Sequence, residues 1–259
     1  MAPGRYEHHV WAAMQRELTL RGMGTAYGPI VTHRGEILHE RRHDCRLEPG
    51  DLILIDVGAE TPGGWAADVT RTWPVDGQLS PTQADIHQLV RHTQHRAINA
   101  VRPGARYRDV HLEAARALTA GLVDLGILRG DIDELVADDV HALFFPHGIG
   151  HLIGLDVHDM EDLGDRAGYA PGRHRDQRFG LGYLRLDRDL EPGMAVTIEP
   201  GFYQVPAILQ DPERTRVAAD RLDRRVLARY ADVRGIRIED DILVTKDGNE
   251  NLTAALEQS

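Results

Sequence analysis

Apolar residues recur at helical spacing along three long stretches of the chain. The spacing predicts helices from Tyr6 to Arg21, from Pro81 to Val101 and from about Arg108 to Leu125. Ser80 is the expected N-cap of the second helix, because its hydroxyl can accept a backbone hydrogen bond in the first turn and proline suits the next position. A shorter helix is predicted near Asp131 to Leu143.

Four further stretches are rich in valine, isoleucine, threonine and leucine, the residues that favour strands. They predict strands at Asp51–Val57, Asp68–Val75, Ala195–Glu199 and Ile236–Thr245. Helices and strands come in separate runs within each half of the chain, which is typical of α+β proteins. We therefore predict an α+β fold.

A short repeat divides the chain into two halves, at about residues 1–100 and 101–259. The sequence Leu-Glu-Pro-Gly precedes a predicted strand in each half, and a carboxylate follows each of these glycines after six residues, Asp56 in one half and Glu199 in the other. Another Pro-Gly pair precedes the first helix of each half. Because the landmarks recur in the same order, we predict two related α+β halves that face each other and bring carboxylates to a shared seam.

Two charged segments interrupt the second half, at about residues 162–188 and 206–234. The first is rich in glycine, arginine and aspartate, and the second has a charged helical core from Glu213 to Tyr230. Both patterns are typical of surface insertions, that is, of solvated loops and a surface helix. The alternatives are lids over a site and contacts between subunits.

The composition argues against two kinds of partner. With 41 acidic and 30 basic side chains the net charge is -11, so we expect no binding to nucleic acid. No stretch approaches the roughly 20 apolar residues of a membrane span, and residues 1–21 have the pattern of an amphipathic helix rather than of a signal peptide. The single cysteine, Cys45, cannot form a disulfide within the chain, which fits a reducing compartment. We therefore expect a cytoplasmic protein without a membrane partner.

Four carboxylates lie at the ends of apolar strands or inside them: Asp56, Asp68, Glu199 and Glu239. A buried carboxylate is costly unless it is protonated, paired or bound to a metal ion. Four of them near one seam would repel each other unless cations compensate, and oxygen ligands suit hard or borderline divalent ions. For any one of these residues an ordinary salt bridge is the simpler interpretation, so the prediction of a metal site rests on the set.

Three histidines, His147, His151 and His158, fall within twelve residues that also contain three glycines. The glycines allow tight turns and a close approach of the backbone to a ligand. A lone histidine is usually structural, whereas three at this density favour a functional site. Their spacing does not decide which of them binds metal, because a strand, a loop and a helix would each present different pairs.

Five motifs resemble those of the pita-bread metallopeptidases, specifically the branch of Xaa-Pro aminopeptidases and Xaa-Pro dipeptidases (prolidases). In chain order they are Leu-Ile-Asp-Val-Gly, Asp-Val-Thr-Arg-Thr-Trp-Pro-Val, His-Gly-Ile-Gly-His-Leu-Ile-Gly-Leu-Asp-Val-His-Asp, Thr-Ile-Glu-Pro-Gly-Phe-Tyr and Gly-Ile-Arg-Ile-Glu-Asp-Asp. The resemblance implies the pita-bread (creatinase/aminopeptidase) fold, with two pseudo-symmetric α+β halves around a curved antiparallel sheet. It also implies that residues 1–259 form one metallopeptidase catalytic domain, without the N-terminal creatinase-like domain of many relatives.

The resemblance also implies the site. It assigns two divalent metal ions, manganese with cobalt or zinc as alternatives, to ligands at Asp56, Asp68, His151, Glu199 and Glu239. It is the resemblance that selects His151 over His147. It implies catalytic roles for His39, His147, His158 and Glu199, and places Tyr27, Tyr203 and Arg237 in the substrate site.

The implied activity is hydrolysis of the peptide bond preceding proline, by an Xaa-Pro aminopeptidase or an Xaa-Pro dipeptidase. The substrate is then a proline-containing peptide, and we expect a homodimer. Methionine aminopeptidases share the ligand set, but the Gly-Leu-Asp-Val-His-Asp sequence favours the proline branch. A non-catalytic peptide-binding module is the alternative outside enzymes, and retention of all five ligands argues against it.

Overall fold

A computed structural model describes residues 1–258 of the chain. In its first hundred residues the elements are α1 Glu7–Leu20, β1 Gly24–Thr25, β2 Ile30–Thr32, β3 Leu52–Asp56, β4 Ala59–Glu60, β5 Thr70–Pro74 and α2 Pro81–Ala100. β3 is the central strand of the antiparallel sheet β2-β3-β5, and all of its residues are buried. β1 pairs with β4 in a short antiparallel ribbon.

The remainder begins with α3 Tyr107–Asp124 and α4 Ile132–Ala137. It continues with α5 Asp165–Gly168, β6 Ala195–Ile198, β7 Gly201–Tyr203, α6 Pro206–Leu209, α7 Pro212–Thr215, α8 Arg224–Leu227, β8 Gly235–Arg237, β9 Asp240–Val244 and β10 Asn249–Asn251. Single 3₁₀ turns lie at Val140–Leu143, Glu161–Leu163, Arg216–Ala218, Ala228–Tyr230 and Ala254–Gln258. β6, β9 and β10 form an antiparallel sheet in the order β10-β9-β6, and β7 pairs antiparallel with β8. Helices with antiparallel sheets confirm the predicted α+β class.

The long helices α2 and α3 pack together over the strands and supply much of the core. Ile86 and Val90 of α2 and Leu118 and Leu122 of α3 are fully buried in one apolar cluster. The predicted cap of α2 is confirmed, because the Ser80 hydroxyl accepts the amide of the third helical residue at 3.1 Å. Burial of these helix faces, at about 25 cal/mol per Å² of apolar surface, holds the strands in place beneath them.

Each half of the chain begins with the same backbone hydrogen bonds. The amide of Gly4 donates to the carbonyl of Leu47 at 2.8 Å, and the amide of Gly104 donates to the carbonyl of Leu190 at the same distance. In both halves, therefore, the Pro-Gly turn before a long helix is tied to the Leu-Glu-Pro-Gly turn before a strand.

The predicted helix from Asp131 to Leu143 is in fact two pieces. Helix α4 ends at Ala137, and a 3₁₀ turn starts at Val140. Asp139 lies between them with a φ of 56°, a left-handed conformation that interrupts helical hydrogen bonding.

The predicted strand from Ile236 to Thr245 is also broken, and Glu239 lies between β8 and β9 rather than inside a strand. The break arises because the chain changes partners there, from β7 on one side to β6 on the other. At the change the Glu239 amide donates to the carbonyl of Thr70 at 3.0 Å. Asp68, predicted to open a strand, instead precedes β5. Local strand propensity was continuous across both places, so only tertiary pairing set these boundaries.

The two charged segments differ from the predicted solvated loops and surface helix. The first contributes three buried leucines, Leu181, Leu184 and Leu186, and the last two of these belong to the main core. In the second, the predicted helix from Glu213 to Tyr230 is divided into short turns, because Asp223 caps a new helix by accepting two backbone amides. That these segments are insertions stays a prediction.

Two buried histidines share the core next to α3. His111 and His141 are fully buried with ring centroids 6.0 Å apart, and no hydrogen-bond partner for any of their four ring nitrogens lies in the part of the chain that is described. Burial lowers the pKa of His111 to about 3, aided by His141 and Arg108, and lowers the pKa of His141 to about 4, aided by Arg178. Both imidazoles are therefore neutral in the folded protein.

This pair should make the protein sensitive to acid. Below the usual histidine pKa of 6.5 the unfolded chain binds protons that the folded chain does not. Above pH 6.5 the two histidines therefore do not reduce the free energy of unfolding. As the pH falls toward 4 they do reduce it, by about 2 kcal/mol per histidine at pH 5. Urea denaturation should show that the difference in unfolding free energy between pH 7 and pH 5 is smaller by up to about 4 kcal/mol in the double variant His111→Leu, His141→Leu, whereas the exposed-site control His92→Leu leaves it unchanged. Equal pH dependence in the double variant and the wild type would contradict the prediction.

Among the described residues, no helix is both long enough and apolar enough to cross a membrane.

Candidate metal centre

The five predicted metal ligands lie on one cavity of about 790 Å³. Asp56 ends β3, and Asp68 precedes β5 on the neighbouring chain segment. Glu199 follows β6, and Glu239 lies at the break between β8 and β9. His151 comes from a loop alongside β6. The two three-stranded sheets, β2-β3-β5 and β10-β9-β6, therefore both end at this cavity. The cavity has the size of a site for a small ligand.

The His151 loop is held against β6 by backbone pairing. The amide of Thr197 donates to the carbonyl of His151 at 2.9 Å, and the amide of Glu199 donates to the carbonyl of Ile149 at 2.8 Å. The loop can approach this closely because residue 150 is glycine: a Cβ there would lie 2.2 Å from the Thr197 carbonyl oxygen. The pairing places His151 and Glu199 side by side at the cavity.

Three of the ligands are close enough to share an ion. Asp68, His151 and Glu239 each offer a ligand atom within 4.8 Å of the others, and all three residues are buried. His151 Nε2 lies 3.4 Å from Asp68 Oδ2 and 3.9 Å from Glu199 Oε1. Two carboxylates and one imidazole around a common point form a donor set that suits a divalent cation.

An unpartnered oxygen supports the same fit. Glu239 is 2% exposed; its Oε2 accepts the Thr70 hydroxyl at 2.7 Å, but Oε1 has no hydrogen-bond partner within residues 1–258. A buried acceptor without a donor is costly, by about 1–3 kcal/mol and more for a charged group. A cation between Glu239 and the neighbouring ligands would remove that cost, so the residues present fit a bound metal ion.

The pKa values of the carboxylates point to the same need for positive charge. Burial raises the pKa of Glu199 to about 7. Burial, then Asp68 and Glu199, raise the pKa of Glu239 well above its ordinary value, and burial also raises the pKa of Asp56. Without a cation these carboxylates resist ionising together, as expected of a site built to hold one.

Arg237 and Tyr27, both predicted to line the substrate site, contact the metal ligands directly. Arg237 is buried; its Nη2 donates to Asp56 Oδ2 at 2.5 Å and its Nη1 to the Tyr203 hydroxyl at 3.2 Å. The Tyr27 hydroxyl lies 2.5 Å from an oxygen of Asp56 and also within hydrogen-bond distance of Asp68, and its one hydrogen is shared between the two carboxylates. Asp56 is thus oriented from two sides. Tyr203 is fully buried behind the cavity wall and reaches the site only through its hydrogen bonds.

The hydrogen bonds of the histidines separate their roles. His151 Nδ1 lies 2.9 Å from the Leu152 carbonyl, so the proton belongs on Nδ1 and the lone pair of Nε2 is free to bind metal. In His147 both nitrogens are engaged, Nδ1 with the Gly148 carbonyl at 2.8 Å and Nε2 with the Tyr203 hydroxyl at 2.9 Å. Burial lowers the pKa of His147 to about 3. His151 is therefore the available ligand.

His158 and His39 lie at the accessible side of the cavity. The His158 ring is 4.4 Å from that of His151, and its Nδ1 pairs with Glu161 at 2.8 Å. Burial, His151 and Arg185 lower the pKa of His158 to about 4. The pKa of His39 is also lowered, by burial and then by Arg237 and other arginines. Both side chains are thus neutral groups that face the cavity.

A family comparison agrees with this geometry. The model of metallopeptidase family M24 matches residues 1–246. The chain belongs to this family. The predicted resemblance to the metallopeptidases is therefore confirmed.

Other M24 proteins similar to this chain carry informative names. The Xaa-Pro aminopeptidase of Escherichia coli K12 is 38% identical over 98% of this chain and 50% of the relative, and Xaa-Pro aminopeptidase 2 of Streptomyces coelicolor is 37% identical over 94% and 45%. A structure of Escherichia coli aminopeptidase P matches with a TM-score of 0.78 at 37% identity, over 98% of this chain and 50% of that one. A zinc-substituted form of the same enzyme with product matches with a TM-score of 0.77, at 38% identity over 98% and 50%. The chain spans about half the length of these relatives.

Several residues around the M24 centre were missed by sequence reasoning. Asp241 Oδ2 accepts the amide of Asp68 at 3.1 Å, and the Thr197 hydroxyl accepts the amide of His151 at 3.1 Å. Both lie inside or beside quoted motifs, so their proximity to the ligands was a usable signal. Phe179 and Arg214 also line the cavity. They come from the two charged segments, where no motif marked them.

Proposed function

We propose that this chain is the catalytic part of a peptidase that hydrolyses the bond preceding proline with two divalent metal ions. The observation that carries the proposal is the convergence of all five predicted ligands on one cavity, three of them within 4.8 Å. The names of similar proteins, Xaa-Pro aminopeptidase and aminopeptidase P, support the substrate class. We expect manganese as the metal, with zinc and cobalt as alternatives.

The chemistry divides between the ions and the chain. Bound divalent ions supply a water that ionises near neutral pH and positive charge beside the scissile carbonyl. Glu199 is the proposed proton carrier, because its carboxylate lies on the cavity beside His151 Nε2. It takes the proton of the attacking water and returns it to the proline nitrogen, which must be protonated before it can leave.

The histidines act in different ways under this proposal. To stabilise the negative charge that develops on the carbonyl oxygen, His158, which lies beside His151 and is open to the cavity, must turn its single N–H from Glu161 toward the substrate. His39 contacts the bound peptide from the cavity wall. His147 has no free nitrogen, so its role is to position Tyr203, which in turn holds Arg237 against Asp56.

The preference for proline follows from its amide. The nitrogen of an Xaa-Pro bond carries no hydrogen, so a site that requires a donor at this position would reject it. Ile30, Leu38 and Val157 line the cavity and offer apolar surface to the ring. A proline therefore fits where a residue with an amide hydrogen would leave that donor unpaired.

We also infer the finer architecture. The matched hydrogen bonds of Gly4 with Leu47 and of Gly104 with Leu190 support two pseudo-symmetric halves, at about residues 1–100 and 101–259, within one pita-bread catalytic domain. A homodimer remains our expectation.

Three peptides test the proposed activity. Metal-stripped protein resupplied with manganese is expected to release alanine from Ala-Pro-Ala or to split Ala-Pro, and to leave Met-Ala-Ser intact, because only the first two contain the bond preceding proline. A metal chelator should stop the reaction. Release of methionine would overturn the proline preference, and cleavage that continues under excess chelator would overturn the role of the metal.

A further inference from the structure

The two charged segments meet at the cavity that holds the metal ligands. Phe179 of the first segment and Arg214 of the second both line it, and the Arg214 guanidinium lies 4.0 Å from the centre of the Phe179 ring. Cation–π contacts of this kind hold a guanidinium flat against the ring and fix its orientation. The contact joins two segments that are distant in sequence, so it makes one continuous wall.

Three of the four other arginines on the same cavity are already engaged, and the fourth, Arg41, has no aromatic ring stacked against it among the described residues. Arg175 pairs with Asp165 at 2.6 Å and also donates to two backbone carbonyls. Arg185 pairs with Glu161, and Arg237 with Asp56. Their donors serve the structure of the wall.

Arg214 differs from them. Its side chain is 37% exposed, and its ion pair is a single contact of 3.4 Å from Nε to Asp211. Asp211 is itself engaged, because it caps α7 by accepting the Glu213 amide at 2.9 Å. Over residues 1–258 the two terminal nitrogens of Arg214 have no hydrogen-bond partner. The Arg214 guanidinium lines the cavity, and its two terminal nitrogens are free to donate. Two parallel N–H donors of this kind match the two oxygens of a carboxylate.

The proposed reaction sets the direction of a bound peptide. Removal of one N-terminal residue places the scissile bond at the predicted metal ligands, so the part of the peptide that extends from them along the cavity is the part that leaves with the proline. This leaving segment is the one that Arg214 can contact.

We propose that Arg214, stacked on Phe179, binds a carboxylate that the substrate carries on the C-terminal side of the cleaved bond. This inference rests on the proposed peptidase function and adds a substrate preference to it. Two sources have this chemistry: the C-terminus of a short peptide, and the side chain of an aspartate or glutamate after proline.

The test compares matched peptides on the metal-loaded protein. Wild type should cleave Ala-Pro-Ala about tenfold better, in kcat/KM, than Ala-Pro-Ala-amide, the size expected of one partly exposed charge-assisted pair. Arg214→Met should remove this preference, so that the acid and the amide are cleaved with equal kcat/KM. The nearby exposed Arg216→Met is the control and should keep the preference. Phe179→Leu should weaken it, since the guanidinium loses the surface that orients it.

Ala-Pro-Asp-amide distinguishes the two sources, because its only carboxylate is on the side chain. A preference for it over Ala-Pro-Ala-amide that depends on Arg214 identifies side-chain recognition, and its absence identifies recognition of the C-terminus. The inference is overturned if wild type prefers neither Ala-Pro-Ala nor Ala-Pro-Asp-amide over Ala-Pro-Ala-amide, or if the preference survives in Arg214→Met.

Binding of the product separates this inference from the proposed function. Calorimetry on the metal-loaded protein should show Pro-Ala binding about tenfold more tightly than Pro-Ala-amide, with the difference lost in Arg214→Met. Discrimination in binding without turnover of any peptide would contradict the peptidase function but uphold the carboxylate site. Turnover of the peptides without any difference in binding between Pro-Ala and Pro-Ala-amide would uphold the peptidase function and contradict the carboxylate site.

Discussion

Replacing Glu239 by alanine is expected to abolish paired metal binding and to lower kcat/KM for Ala-Pro-Ala by about a thousandfold or more. Glu239 is one of three buried residues whose ligand atoms lie within 4.8 Å, and its free Oε1 is the oxygen most in need of a cation. Metal content by mass spectrometry and kcat/KM are the measurements. The exposed carboxylate Glu250 lies on β10, and Glu250→Ala is the matched control that should change neither.

Although Glu239→Ala should lower metal binding and activity, it should raise the stability of the metal-free protein. Burial and neighbouring carboxylates raise the pKa of Glu239 in the folded state, so this residue costs stability as the pH rises above its ordinary pKa of 4.5. Metal-free Glu239→Ala should therefore be more stable than metal-free wild type at pH 8, with a smaller difference at pH 5. Added manganese should raise the melting temperature of wild type only. A variant that binds two ions and turns over normally would sink the assignment of Glu239.

Replacing Arg237 by methionine should be the most destabilising single change at the site. Arg237 is 4% exposed, and its bond to Asp56 at 2.5 Å leaves an unpaired buried carboxylate when it is removed. Breaking one side of a buried ion pair costs about 3–5 kcal/mol. For a chain of this length that corresponds to a fall in melting temperature of about 10 °C. Urea denaturation of the metal-free protein measures the change directly.

Two variants bracket this result. Tyr203→Phe removes the hydroxyl that accepts from Arg237 Nη1 and is also hydrogen-bonded to His147 Nε2, and a loss of about 1–3 kcal/mol is expected. Arg221→Met breaks a surface pair with Asp138 and should cost less than 1 kcal/mol. If Arg237→Met unfolds within 1 kcal/mol of wild type, the arginine does not hold Asp56 in the folded protein.

The resemblance in the sequence named five candidate ligands, but it did not give their geometry. Asp56, Asp68, Glu199 and Glu239 stand in motifs, and the motifs alone suggested a shared seam. The resemblance selected His151 over His147, and the hydrogen bonds give the physical reason: His151 has Nε2 free for metal, whereas His147 has both nitrogens engaged. A spacing of four residues carries no information on which ring nitrogen meets a carbonyl.

Besides hydrogen bonding, the motifs also did not predict how deeply each side chain is buried. Tyr203 and Arg237 were predicted to line the substrate site and to support the metal centre. Arg237 lines the cavity and bonds the predicted ligand Asp56, whereas Tyr203 is buried behind the cavity wall. Arg214 and Phe179 escaped notice for the opposite reason: each lies in a charged segment without a motif, and their importance comes from a contact between segments. The predicted strand boundaries near Glu239 were wrong for a related reason. The chain changes its pairing partner there, and such a change leaves no pattern in the local sequence.

A titration of manganese into the metal-free chain, followed by alanine release from Ala-Pro-Ala, is the most direct test of the two-ion centre. The expected result is binding that saturates at about two ions per chain, with the rate of release rising to a plateau at the same point. Saturation at two ions without any release, or release at full rate in the absence of bound metal, would contradict a metal-dependent peptidase built on these five ligands.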